Sequence, residues 1–287
     1  MYIILGGTGH VGSAVAQALL HARQLVTVVT HQPGHADHLR QQGAHVAVAD
    51  AHDQAALHGI FQTGQRLFLL NPPADPATDT VAEEKQTLRT ILAALPGTPI
   101  RKIVAESTYG AQPGEGHGDL NVLYDMEQAL KQLDASVSII RAAYYMSNWV
   151  PYLPAVRERG TLPSLYPADF QLPMVAPADL GRVAARLLQE PLGQTGLHYV
   201  EGPATYSPAD VAAAFAQALG RPVRVAVTPR SEWEASFRAA SFSTKAAASF
   251  TAMTALTLNN TKHPAHPERG VTTIQQYINE LVKSPPH

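Results

Sequence analysis

The sequence predicts an α/β protein: a doubly wound parallel sheet in residues 1–149, and a smaller C-terminal α/β lobe in residues 150–287 with some elements returning to the first domain. Three observations predict it. Over the first half, short β-branched runs alternate with helix-length segments, the rhythm of a parallel sheet covered on both faces. A glycine-rich turn, Gly6-Gly7-Thr8-Gly9-His10-Val11-Gly12, joins the first run to the first helix. Beyond residue 150, prolines recur at 151, 154, 163, 167, 173 and 177, too often for regular structure throughout.

Taken in order, Tyr2-Ile3-Ile4-Leu5 is an apolar strand and residues 11–20 a helix. Residues 25–30 form a β-branched strand that stops at His31-Gln32-Pro33, and residues 34–42 a short helix stopped by Gly43. A third strand, 45–49, carries Asp50 at its end, and a helix over 53–59 leads to a fourth strand, 66–70, closed by Asn71-Pro72-Pro73. A long amphipathic helix covers 77–95, and a fifth strand, 102–105, delivers Glu106-Ser107-Thr108-Tyr109 to its end. The loop 110–118, a helix over 119–133 and a sixth strand, 137–141, complete the first half. The second half reads as helices over 177–189, 207–219, 230–250 and 271–282, strands over 197–200 and 223–228, and a loose tail at 284–287.

The bulk numbers restrict function. A chain of 287 residues that is 45% hydrophobic and 15% charged builds a sizeable core. A net charge of −2 gives no electrostatic reason to expect nucleic acid or an anionic membrane as partner. The absence of cysteine removes disulfides, thiolate metal sites and a cysteine nucleophile. A strand beginning at residue 2 leaves no room for a basic leader, and no apolar run approaches the roughly 20 residues of a membrane span. The expectation is a soluble, cytoplasmic protein.

In such a sheet, right-handed crossovers bring every strand's carboxyl end to one edge, where ligands bind at the point of strand-order reversal. That edge collects the glycine loop, His31, Asp50, Asn71-Pro72-Pro73, Ser107-Thr108 and the segment after Arg141. The helix that opens at the loop offers free N–H groups and the positive end of its dipole to an anion. Gly6 permits the sharp turn, Gly9 a close approach of backbone to a pyrophosphate, and Gly12 close packing of helix on strand. The spacing, Gly-x-x-Gly-x-x-Gly, is a variant of the commoner dinucleotide fingerprint and also describes an ordinary strand-to-helix turn. The candidate cofactor contacts are Gly6, Thr8, Gly9, His10, Val11, Gly12, His31, Asp50, Ala51, Asn71, Pro72 and Ser107.

Nearly the whole chain resembles the NmrA-like branch of the atypical short-chain dehydrogenases. The resemblance is carried by the glycine loop, Asp50, Asn71-Pro72-Pro73, the run Ser138-Ile139-Ile140-Arg141-Ala142-Ala143-Tyr144-Tyr145-Met146-Ser147-Asn148-Trp149, Ala178–Arg182 and Pro267–Ile278. It implies an NAD(P)-binding Rossmann domain with a small lid lobe. It leaves two activities open, because the family holds both NADPH-dependent quinone reductases and redox-sensing regulators that act through a protein partner. NAD-preferring sites end the second strand with an acid that holds the ribose 2′-hydroxyl. Here Thr30-His31-Gln32 has none, so NADP(H) is the preferred cofactor, with NAD(H) possible. NADP-binding relatives often carry Arg where His31 stands; a histidine near neutral pH attracts a 2′-phosphate when protonated, or is a plain exposed loop residue. Asp50 matches the family's acceptor for the adenine amino group and equally suits an N-cap of the next helix.

The usual acid of short-chain dehydrogenases, a Tyr with a Lys four residues on, is absent: Tyr109, Tyr124, Tyr144, Tyr145 and Tyr152 are followed by Pro113, Gln128, Asn148, Trp149 and Val156. Nor does the helix 119–133 carry the early lysine of the isoflavone-reductase-like cousins; its first is Lys131. Quinones require less, chiefly positioning over the nicotinamide, with water able to protonate the product. Tyr124, Tyr144, Tyr145 and Trp149 are candidates to line an acceptor pocket, although two adjacent tyrosines equally suit packing between lobes. Asn148, in the resembling run, is the candidate to orient a carbonyl. Of the thirteen histidines, His31, His35 and His38 have helix-compatible spacing, but the one carboxylate with them, Asp37, points to another face of that helix, so they read as solvated surface and no metal is expected. Ser107 lacks a nucleophile elbow. The sequence thus points to a reductase of quinones or similar electrophilic carbonyl compounds, or else to a non-catalytic NADP(H) sensor; it leaves oligomeric state open.

Overall fold

The computed structural model describes residues 1–259 and 264–283; the tail at 284–287 lies outside the described residues. The first half alternates strand and helix: β1 (Tyr2–Ile4), α1 (His10–His21), β2 (Val26–Thr30), α2 (Asp37–Gln41), β3 (His45–Val48), α3 (Gln54–Phe61), β4 (Arg66–Leu69), α4 (Thr80–Ala93), β5 (Lys102–Thr108), α5 (Asp119–Leu130) and β6 (Ser136–Ala142). There follow β7 (Tyr144–Tyr145), a 3₁₀ segment over Met146–Tyr152, α6 (Leu153–Arg159), β8 (Thr161–Ser164), β9 (Leu172–Val175), α7 (Pro177–Gln189) and β10 (Gly196–Glu201). The chain closes with β11 (Thr205–Tyr206), α8 (Pro208–Leu219), β12 (Arg224–Val227), α9 (Trp233–Ala239), α10 (Thr244–Asn259), β13 (Glu268–Arg269) and α11 (Ile274–Lys283).

Eight strands form one sheet in the order β13-β10-β6-β5-β4-β1-β2-β3, and every pairing in it is parallel. The chain runs outward through β1, β2 and β3, then returns to the other flank of β1 with β4, β5 and β6. The order therefore reverses between β1 and β4, and the glycine loop sits at that switch point. This is the Rossmann arrangement. Its strands are apolar on both faces because helices cover both. On one face Val15, Leu19, Val183 and Leu187 of α1 and α7 pack with Val28 and Phe68. On the other, Phe61, Ile91 and Met126 of α3, α4 and α5 pack with Leu67 and Ile103. A third core, with Met146, Trp149, Leu162, Phe215 and Ile278, belongs to the C-terminal half.

Elements from beyond residue 150 reach back to the first unit. β10 extends the sheet beside β6, β13 beside β10, and α7 lies along α1. At the closest approach of those helices, a Cβ on Gly181 would stand 2.5 Å from the Ala14 Cβ, so glycine is what the packing permits.

The structure departs from the sequence reading in particular places. The helix expected over 77–95 starts at Thr80, because the Asp79 carboxylate caps it by accepting from the Ala82 N–H at 3.3 Å, and an Asx turn at Asp75 precedes it. The helical stretch expected over 230–250 is two helices, α9 and α10, parted at Ser241, which adopts φ +68°. The proline-rich region carries β8, whose partner β12 comes from later in the chain, and β9, which lies between the earlier β7 and the later β11. Strands of two to four residues show no alternation that a sequence could display.

Candidate functional site

The glycine loop is tied to both neighbouring strands. The Leu5 N–H donates to Phe68 O at 3.0 Å and the Gly7 N–H to Val29 O at 3.1 Å. Gly6 adopts φ +61°, and a Cβ there would come 2.8 Å from Leu70 Cδ2. A Cβ on Gly12 would overlap the Gly6 carbonyl, so the first turn of α1 rests directly on the loop backbone. Gly7, given no role by the sequence reading, allows the loop to pass over β2: its Cβ would stand 2.5 Å from Val28 Cγ1. Gly9 caps α1 without a side chain, so the first-turn N–H groups of Val11 and Gly12 receive no side-chain cap and face the loop's open side. The Thr8 hydroxyl lies 3.0 Å from that of Thr30 and fastens the loop to the end of β2.

His31 is exposed beyond Thr30, and its charge acts on Asp50 at the end of the adjacent strand. Asp50 is not the cap of α3. That is Asp53, which accepts from the Ala56 N–H at 2.9 Å. The Asp50 carboxylate instead accepts the His52 N–H at 2.9 Å with the His52 ring 3.0 Å away, and these bonds hold it below the usual carboxylate range. Ala51 is half-buried beside it. At the end of β4, the Asn71 side-chain N–H donates to Glu84 O at 3.1 Å, while its Oδ1 is buried with no hydrogen-bond partner. Pro72 stiffens the half-buried turn that follows.

Ser107 is buried, and its hydroxyl donates to Glu127 Oε1 at 2.5 Å. Glu127 also takes two hydrogen bonds from Arg141, at 2.8 and 2.7 Å, so Ser107 belongs to a clamp joining β5, α5 and β6. Its neighbour Glu106, buried on the opposite face of β5, accepts the Tyr145 hydroxyl at 2.5 Å. Burial pushes the Glu106 carboxyl up to about 7 against the opposing pull of that bond. Tyr145 is raised well above its ordinary value, first by burial and then by the Glu106 charge.

A carboxyl pair closes the site from the helix side. Glu84 on α4 hydrogen-bonds Asp119 at the start of α5, and its Oε1 accepts the Ala74 N–H at 3.2 Å. Burial, then the Asp119 charge, lifts Glu84 to about 8, and burial raises Asp119 as well. Two carboxyls this close hold one proton between them. Asp119 Oδ1, like Asn71 Oδ1, is buried without a hydrogen-bond partner.

The aromatic candidates divide. Tyr144 faces the C-terminal core, its ring 6.0 Å from Trp149 and 5.8 Å from Tyr166. Trp149 is 1% exposed and is core, so the expectation that it lines a pocket is corrected: the 3₁₀ turn over Met146–Tyr152 carries it inward. Tyr124 is half-buried on α5, and Asn148 is exposed, within hydrogen-bonding reach of Tyr144. Across these loops lies α10, which the sequence reading left without a role. Ser243, just before it, donates from N to Pro76 O at 2.8 Å, and Lys245 pairs with Asp79 at 2.7 Å. Farther along, Met253 and Leu256 reach Gly118 and Gly110, so one helix spans from the β4–α4 loop to the β5–α5 loop.

Glu106, Glu84 and Asp119 are the residues that sequence reasoning passed over. Glu106 had a signal, an acid ending an apolar strand; the other two are ordinary helix residues until the fold buries them together.

The fold agrees with those of known proteins. The chain is 25% identical over 236 residues to an NAD(P)H azoreductase of Xenophilus azovorans, covering 79% of this chain and 77% of that protein. Among solved structures, an NADPH-dependent quinone oxidoreductase from Escherichia coli complexed with NADPH superposes with a TM-score of 0.78 at 20% identity, over 99% of this chain and 100% of that one. A Citrobacter triphenylmethane reductase complexed with NADP(H) gives 0.79 at 16% identity, over 98% and 100%. The NmrA-like family profile matches residues 2–278, and the chain belongs to the NmrA-like family.

Proposed function

We propose that the protein is an NADPH-preferring reductase that transfers a hydride to a quinone or a similar electrophilic carbonyl compound. The observation that carries the reading is the cradle at the switch point: a loop with no room for side chains at Gly6 and Gly12, opening on an uncapped helix start. The residues fit a dinucleotide. The first-turn amides of α1 would take the diphosphate, Asp50 and Ala51 would face the adenine end, and the buried, unpartnered Asn71 Oδ1 would face the nicotinamide end. When bound, NADPH supplies the hydride. The chain's own part is to orient an acceptor, with Asn148 and Tyr124 at the rim, and to exclude water beneath α10.

The preference for NADP(H) rests on His31, which stands where an NAD-specific acid would repel a 2′-phosphate. The azoreductase and quinone oxidoreductase likenesses support a reductase. The test is a titration of purified protein with NADPH and NADH, followed by nicotinamide absorbance with a panel of quinones, azo dyes and a cationic triarylmethane dye. The expected result is tighter binding of NADPH than of NADH, and turnover with at least one quinone. Asn148→Ala is expected to lower that turnover while leaving NADPH affinity in place. Equal affinity for the two nucleotides rejects the role of His31. Firm NADPH binding with no turnover on any acceptor replaces the enzyme by a sensor acting through a protein partner, a reading favoured by the missing Tyr/Lys pair.

A further inference from the structure

A quinone or an azo bond gains one hydride and one proton when it is reduced by two electrons. The chain lacks the tyrosine–lysine pair that usually supplies the proton. At the carboxyl edge of β5 it has something else. Tyr145 is half-buried in β7, directly after β6, and its hydroxyl donates to Glu106 Oε1 at 2.5 Å. Glu106 is 7% exposed, and that tyrosine is the hydrogen-bond partner its carboxylate has there. A carboxylate in so dry a position is costly unless it gains from holding a proton part of the time. The charged group that acts on this pair from the surrounding elements is Asp119 on α5, whose carboxyl is bound in turn to Glu84 on α4. Both are acids, so among the described residues no cation acts on Glu106 to keep it permanently ionised. The same edge holds the buried Asn71 Oδ1 and Asp119 Oδ1, which have no hydrogen-bond partners.

Building on the reductase reading above, we propose that Glu106 and Tyr145 form a two-residue proton relay serving the acceptor site in place of the missing tyrosine–lysine pair. In its protonated form Glu106 donates to the Tyr145 oxygen while the Tyr145 hydroxyl donates to the heteroatom of the acceptor. As the acceptor gains its hydride, the tyrosine passes its own proton outward and takes the one from Glu106. The acceptor leaves as the neutral hydroquinone or hydrazine, and Tyr145 ends as it began. Glu106 ends ionised, accepting from the tyrosine, the arrangement seen in this structure. Water restores its proton before the next turnover. Tyr145 is the group that meets the acceptor. Glu106 is a positioning residue and a proton store, and burial sets it to exchange near neutral pH.

The prediction separates acceptors by chemistry. A cationic triarylmethane dye takes a hydride at its central carbon and becomes neutral with no proton added; a quinone or azo dye needs both. Tyr145→Phe is expected to slow quinone and azo reduction by at least about tenfold, and Glu106→Gln to slow it and abolish the fall in kcat as pH rises through about 7. Both variants should lose markedly less rate with the cationic dye than with quinone and azo acceptors, and should bind NADPH within about twofold of the parent protein. Infrared titration of the protein without nucleotide should show a protonated-carboxyl component that disappears near pH 7 and is missing in Glu106→Gln, while the component of the Glu84–Asp119 pair, lost nearer pH 8, stays in both. Equal slowing of all acceptors would make the pair a structural strut and overturn the proposal. So would persistence of the pH limb in Glu106→Gln, or an unchanged infrared band. If the parent protein reduces no acceptor, the reductase reading itself fails; if it does and the variants behave as it does, the relay alone fails.

Discussion

At the scale of single residues, Gly12 decides whether the first helix can sit on its loop. Any Cβ there overlaps the Gly6 carbonyl, which belongs to backbone and cannot swing aside. Gly12→Ala is therefore expected to weaken NADPH binding by at least about tenfold, with a loss of stability of about 1–3 kcal/mol from overpacking, measured by titration and by thermal melting. The buried acids make a second claim. The Glu84 carboxyl stands at about 8 in the folded protein, above its unfolded value. A raised pKa gives stability that is complete below the unfolded pKa and is lost as pH rises through the folded one. The melting temperature of the parent protein should accordingly fall between about pH 4.5 and 8 and level off above that. Glu84→Gln keeps a donor toward Asp119 but carries no charge, so its melting temperature should fall less; curves that drop in parallel would show that Glu84 is ionised throughout.

At the scale of elements, the clamp among β5, α5 and β6 joins the two strands that deliver Glu106 and Tyr145. Glu127, 2% exposed at its side chain, accepts twice from Arg141 and once from Ser107. Arg141 also lies over the Tyr199 ring at 5.9 Å, tying β10 into the same clamp. Removing one partner strands a buried charge. Glu127→Ala is expected to cost roughly 3–5 kcal/mol, whereas the double change Glu127→Leu with Arg141→Met should recover most of it. Chemical denaturation of the single and double variants checks this, and a single variant losing less than about 1 kcal/mol would show the pair to be solvated.

At the scale of the molecule, the cofactor cradle depends on segments far along the chain. α7 braces α1 through the Gly181–Ala14 contact, and α7 is in turn held by the closing segment: the buried Asp179 carboxylate accepts from the Thr272 N–H at 3.0 Å and from its hydroxyl at 3.2 Å. Gly181→Val is expected to push the two helices apart, lowering stability by about 1–3 kcal/mol and weakening NADPH binding although it touches no nucleotide contact. Unchanged affinity in a correctly folded variant would show that α1 holds its position without α7. No helix among the described residues is long and apolar enough to cross a membrane.

The sequence by itself determined the wound sheet, its ligand edge and the glycine loop, because each rests on local chemistry: apolar strands buried on both faces, glycines where a Cβ has no room, and proline or glycine where an element stops. It also determined that the usual Tyr/Lys acid is missing. Only the tertiary structure decided what the polar residues at that edge do. Ser107 and Glu106 are adjacent in one strand, yet one turns to a clamp and the other to Tyr145, since successive side chains point to opposite faces. Whether Trp149 is core or pocket, and whether Glu84 meets Asp119, depend on contacts between distant segments. Burial is a property of the assembled molecule, and burial is what turns ordinary carboxyls into groups that hold a proton near neutral pH.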